Sequence, residues 1–91
     1  MTNQIILASL AMDLKRAALG LNRKSFVMAE KFSQEALQRQ KEIDITSLPT
    51  YLQQILNSLP NKINSSEDEK KAEDMLMYST LIQNYALNDK T

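Results

Sequence analysis

The residues equipped for chemistry are few. Glu67, Asp68, Glu69, Glu73 and Asp74 form the densest group of carboxylates, and Lys15, Arg16, Arg23 and Lys24 bracket Gly20, the single glycine of the chain. Histidine and cysteine are absent. Their absence removes the usual general base near neutral pH, the commonest metal ligand, the thiol nucleophile and the disulfide together. An enzyme would then need a carboxylate, Lys or Tyr held in a cleft that perturbs its pKa. Tyr51, Tyr78 and Tyr85 fall on the apolar faces of helices, where a core role with the hydroxyl at the rim accounts for them. One glycine cannot build a phosphate-cradling loop. The expectation is a protein that is not an enzyme and that carries no cofactor and no metal.

The two charged groups differ in what explains them. A carboxylate metal site in a bundle draws inward-facing Glu from several helices, commonly with a Glu-x-x-His pair. Here all five acids sit near the start of one helix, where capping and the macrodipole favour them. The basic group is less easily explained. If Gly20 ends the first helix, Lys15 and Arg16 lie in its last turn, where cations are favoured. Arg23 and Lys24 then fall in the first turn of the second helix, where each is disfavoured by about 0.3–1 kcal/mol. Four cations beside free helix N–H groups resemble the footing of an anion site. Lys15, Arg16, Arg23 and Lys24 are therefore the candidate residues for a phosphate, a nucleic-acid backbone or an acidic partner segment, although no exposed aromatic offers base stacking.

The elements that must position these groups read as helices throughout, given one Gly, two Pro and few β-branched residues outside the Ile set. The expected fold is all-α, a small bundle of four helices. A hairpin of helices over 3–19 and 22–43 turns on Gly-Leu-Asn, with Gly20 after the first helix and Asn22 capping the second. A short helix over 48–59 is capped by Thr46 or Ser47 and stopped by Pro60. The last helix, 66–87, opens on a capping box of Ser65 with Asp68, or Ser66 with Glu69. Residues 44–47 and 60–65 read as linkers and 88–91 as a frayed tail, all within a single domain spanning 1–91. The rival to the hairpin is one continuous rod of helices 1 and 2, since a glycine inside a helix costs only about 1 kcal/mol. The stretch FVMAEKFSQEAL, with Ala29 and Ala36 at small-residue positions, resembles the second helix of a tetratricopeptide unit. The first helix lacks that motif's aromatics and no second unit follows.

The core follows from periodicity. Ile6, Leu7, Leu10, Ala11, Leu14, Ala17 and Ala18 share one face of helix 1. Phe26, Ala29, Phe32, Ser33, Ala36, Leu37 and Ile43 share one face of helix 2. Leu48, Tyr51, Leu52, Ile55, Leu56 and Leu59 line helix 3, and Ala72, Met75, Tyr78, Leu81, Ile82, Tyr85 and Ala86 line helix 4. Helix 1 carries a second apolar stripe opposite the first, Ile5, Ala8, Met12 and Leu19, which leaves Ser9, Asp13 and Arg16 as a narrow polar strip. A helix apolar on two sides needs neighbours on both, either helices 3 and 4 or another subunit. Ile5, Ala8, Met12 and Leu19, with Val27 and Met28 on the polar side of helix 2, are the candidate interface.

Composition sets the remaining bounds. Eleven basic and eleven acidic residues cancel, so no global field draws the molecule onto nucleic acid or an anionic membrane. No apolar run approaches a membrane span, and the expected setting is the cytoplasm. The expected role is a small protein–protein interaction or regulatory module that self-associates as a homodimer. The alternative is a nucleic-acid or phosphate-binding protein that uses the basic turn 15–24.

Overall fold

The computed structural model describes residues 2–88. They form α1 (Asn3–Asn22), α2 (Phe26–Glu42), a 3-10 turn (Ile45–Ser47), α3 (Thr50–Ile63) and α4 (Asp68–Asn88). Residues 89–91 of the expected tail lie outside the described residues. The all-α bundle is the observed architecture, and α1 and α2 form a hairpin, not a rod.

α1 is the central helix. It runs antiparallel to α2 and to α4, while α3 closes the other side of the core against α2 and α4. Its inward leucines, Leu7, Leu10 and Leu14, are fully buried with Leu52, Leu56 and Leu59 of α3 and Met75 and Ile82 of α4. Small residues let the backbones approach: Ala29, Ser33 and Ala36 on α2, and Ala72, Ser79 and Ala86 at seven-residue intervals on α4, are all buried. The Ser79 hydroxyl donates to the Ala11 carbonyl at 2.7 Å, and Gln4 Nε2 donates to the carbonyl of Ala86. These bonds fix the antiparallel register of α1 and α4.

The glycine has a different role from the one its position in sequence suggests. Gly20 does not follow α1 but lies inside it, buried, two residues before its last residue. A Cβ there would lie 2.8 Å from the Ala29 backbone nitrogen and 3.1 Å from the Ser25 carbonyl oxygen, so Gly20 is what allows α2 to begin against α1. The left-handed residue that ends the helix is Lys24, at φ 58°. Ser25 N–H donates to the Gly20 carbonyl at 2.8 Å and Lys24 N–H to the Leu21 carbonyl at 3.1 Å, the paired bonds of a Schellman ending. Asn22 is accordingly the last residue of α1, and Ser25, not Asn22, precedes α2.

Three further boundaries move for local reasons. Pro60 does not stop α3 but sits inside its last turns. Proline has no N–H to give the carbonyl four residues earlier, and that carbonyl, of Leu56, instead accepts from Gln40 Nε2 of α2 at 3.2 Å. The cap of α3 is Pro49, not Thr46 or Ser47, because those two belong to the 3-10 turn. Asp44 caps that turn and Asn3 Nδ2 ties it to α1 through the Asp44 carbonyl at 2.9 Å. Before α4, Ser65 Oγ accepts from Glu67 N–H at 3.2 Å, a turn closed two residues on, in place of a capping box.

Candidate functional site

The outer face of α1, turned away from the core, brings together the apolar and basic candidates. The second stripe is only partly covered within the chain. Ile5 and Met12 are 51% and 47% exposed, and Ala8 and Leu19 are half-buried. Met12, Lys15, Arg16 and Leu19 line an open groove of about 290 Å³ together with Gln83 of α4. Leu87, four residues beyond Gln83 and thus on the same side of α4, is 70% exposed. Val27, in the first turn of α2, is 86% exposed and Met28 is half-buried, but neither lines this groove.

The basic residues divide by their surroundings. The Arg16 guanidinium lies 5.5 Å from the centroid of the Phe32 ring and Lys31 Nζ 5.6 Å from the same centroid, so one half-buried aromatic holds two cations near α1. Arg23 and Lys24 do not occupy the first turn of α2. They end α1, Arg23 as its cap and Lys24 as the left-handed residue. There they face the negative end of the macrodipole of α1, where cations are stabilising. The unfavourable placement that sequence spacing implied for them is absent. Of the four basic candidates, Lys15 and Arg16 line the groove and Arg23 and Lys24 do not.

Sequence reasoning missed the polar connection beneath this face. Asp13, expected on the exposed strip, is buried at 3% exposure, and its Oδ2 accepts from Arg39 Nε of α2 at 2.6 Å. Burial raises the Asp13 carboxyl above the usual carboxylate range, against the opposing hydrogen bond and charge of Arg39; Glu35 raises it further and Arg16 lowers it. Among the sequence signals, only the position of Asp13 beside Ile6 and Ala17 on the helical wheel hints at this.

Some expected core residues reach the surface instead. Tyr51, Leu81 and the first residue of α2, Phe26, are 48%, 38% and 56% exposed. Tyr51 and Leu81 line an open groove of about 400 Å³ between α3 and α4 with Ile55, Met77 and Tyr78. α3 and α4 meet closely at the other end, where Lys62 Nζ pairs with Asp74 Oδ2 at 3.2 Å. The acidic start of α4 gathers nothing further: among the described residues no three Asp or Glu side chains stand together as metal ligands would. No helix of the described residues is long and apolar enough to cross a membrane.

Comparison with protein-family models, with characterised proteins and with solved structures gives no match. The resemblance of residues 26–37 to a tetratricopeptide helix therefore has no family match behind it.

Proposed function

We propose that this protein is a non-enzymatic helical interaction module that self-associates through the outer face of α1. The observation that supports this reading is the exposure of Ile5 and Met12 on the helix that is already the most enclosed of the bundle. The inner face of α1 is complete without them, so nothing in the monomer's own packing calls for apolar side chains there. Covering a half-exposed Ile, Met or Leu gains roughly 1 kcal/mol of apolar transfer, reduced by the cost of association. The dimer is therefore concentration-dependent, as befits a module that assembles on demand.

Solution mass by light scattering, followed from about 10 to 500 μM, tests this. Wild type should move toward twice the chain mass while Met12→Asp stays monomeric. Wild type that remains monomeric at every concentration refutes the reading. Anion binding at Lys15, Arg16, Arg23 and Lys24 is the competing outcome. It would appear as affinity for a nucleic acid or phosphate that falls steeply with added salt, whereas an apolar interface barely responds.

A further inference from the structure

Where the end of α1 and the start of α2 meet the connection from α3 to α4, the fold leaves a small open pocket of about 180 Å³. Glu30, Ser33 and Gln34 of α2, Asn64 after α3 and Asp68 of α4 supply its polar wall. Ser33 is the residue whose hydroxyl packing does not explain. It is 5% exposed, and alanine serves the same seam at Ala29 and Ala36. A serine or threonine inside a helix commonly donates to the carbonyl four residues before it, as Thr80 does to Leu76 at 3.1 Å. The Ser33 hydroxyl makes no such bond and has no hydrogen-bond partner among the described residues. No side-chain oxygen or nitrogen of those residues is both fully enclosed and unpartnered. The Ser33 oxygen therefore reaches open space, and the pocket is the space that Ser33 lines.

The groups around that hydroxyl select the sign of its ligand. Among the described residues the ion pairs are Asp13–Arg39 and Lys62–Asp74, so neither Glu30 nor Asp68 is in one. Gln34 Nε2 donates to Glu30 Oε1 at 3.0 Å, which leaves the second carboxylate oxygen open. Lys71, the cation that lines the pocket, is turned to the loop: its Nζ donates to the carbonyls of Ile63 at 2.9 Å and Ser65 at 3.3 Å. An anion would face two carboxylates here. A hard divalent ion asks for more oxygen ligands, and among the described residues no three carboxylates stand together. We propose that this pocket binds a primary ammonium group on a short alkyl chain. The three N–H donors of such a group match Ser33 Oγ and the carboxylates of Glu30 and Asp68. Phe26, 56% exposed, offers a ring to the charge, and Leu21 offers an apolar wall to the alkyl chain.

Size limits the ligand further. The pocket is smaller than the roughly 300–1,000 Å³ of sites for drug-sized molecules, so it takes one small group and not a nucleotide. That ammonium comes either from a free alkylamine or from a lysine side chain on a partner. The pocket lies at the end of the bundle and shares no lining residue with the groove on α1. The inference is therefore independent of the self-association proposed above.

Amide NMR spectra of the whole chain, followed through a titration with n-butylammonium chloride to about 50 mM, test this. Amides around Ser33 and from Asn64 to Lys71 should shift and saturate. Glu30→Gln and Asp68→Asn should each weaken binding about tenfold, as loss of a charge-assisted bond does, and Ser33→Ala about threefold. The urea midpoint of Ser33→Ala should meanwhile hold or rise, because alanine is the better helix former. Lower affinity with undiminished stability is the pairing that a packing role for the hydroxyl does not produce. Putrescine and Nα-acetyl-lysine methylamide separate the two sources: tighter binding of the first points to a free amine and of the second to a partner's side chain, and either keeps the ammonium site. Absence of a saturable shift, shifts that sodium or calcium chloride reproduces, or wild-type affinity in all three variants overturns the proposal. A lowered midpoint in Ser33→Ala returns the hydroxyl to packing and overturns it as well.

Discussion

Replacing Gly20 with alanine separates two opposed physical effects by sign. Within a helix, exchanging glycine for alanine stabilises by about 0.5–1 kcal/mol, because the unfolded chain loses backbone freedom. At Gly20 the new Cβ would meet backbone and not a yielding side-chain tip: Ala29 N at 2.8 Å, Ala29 Cα at 3.0 Å and Ser25 O at 3.1 Å. The added carbon can be accommodated only if the first turn of α2 moves away from α1, which loosens the seam of Ala29, Ser33 and Ala36. Overpacking of this kind costs about 1–3 kcal/mol, so the net effect is a loss of roughly 1–2 kcal/mol. At about 4–8 °C per kcal/mol for a domain of this size, Tm falls by roughly 5–15 °C. Urea denaturation followed by circular dichroism measures the change, with the slope checked to confirm that only stability moved. A midpoint raised by Gly20→Ala would refute the close approach of α1 and α2 and return Gly20 to the status of an ordinary helical glycine.

Other perturbations follow from single contacts. Lys24→Gly should stabilise by about 1 kcal/mol, since a left-handed conformation is costly for a residue with a Cβ; thermal melts check it. Gln40→Ala should cost about 1–2 kcal/mol by stranding the Leu56 carbonyl. It should cost less in a Pro60→Ala background, where a backbone N–H returns to that carbonyl, and additive effects in the double-mutant cycle would contradict the coupling. Ser79→Ala should cost about 1 kcal/mol through loss of the bond to the Ala11 carbonyl, read from the urea midpoint. Asp13 gives a pH signature. Its folded-state carboxyl is raised above the unfolded value of 3.8, so the native state holds the proton longer. The stability it contributes is full below that value and is lost as pH rises through the folded value. Asp13→Asn should therefore gain on wild type between about pH 3 and pH 7, and a difference moving the opposite way would show that the pairing with Arg39 outweighs burial.

The helices were legible in the sequence because their inner faces obey one period. Leu52, Ile55, Leu56 and Leu59 on α3 and Leu7, Leu10 and Leu14 on α1 were expected inside and are buried. The turn was legible in place but not in chemistry. Glycine is the usual residue at a helix ending, yet the constraint at Gly20 comes from Ala29, nine residues later and on another helix, which no local pattern encodes. With Gly20 spent on close approach, the left-handed position fell to Lys24, and the helix boundary moved by three residues. Pro60 escaped its usual meaning for a similar reason: Gln40, twenty residues away, supplies the missing donor. Asp13 read as surface because its buried partner, Arg39, belongs to a different helix. The outer stripe of α1 was visible as a pattern, and only the packed bundle could show that α3 lies on the opposite side of the core and leaves the stripe open.

The shift of the α1 boundary also bears on what the basic turn does. With Arg23 and Lys24 at the end of α1, their charge is favourable without any ligand, and Arg16 spends part of its charge on the Phe32 ring. The placement of Arg23 and Lys24 that first suggested an anion site is thus accounted for by the ending of α1 itself.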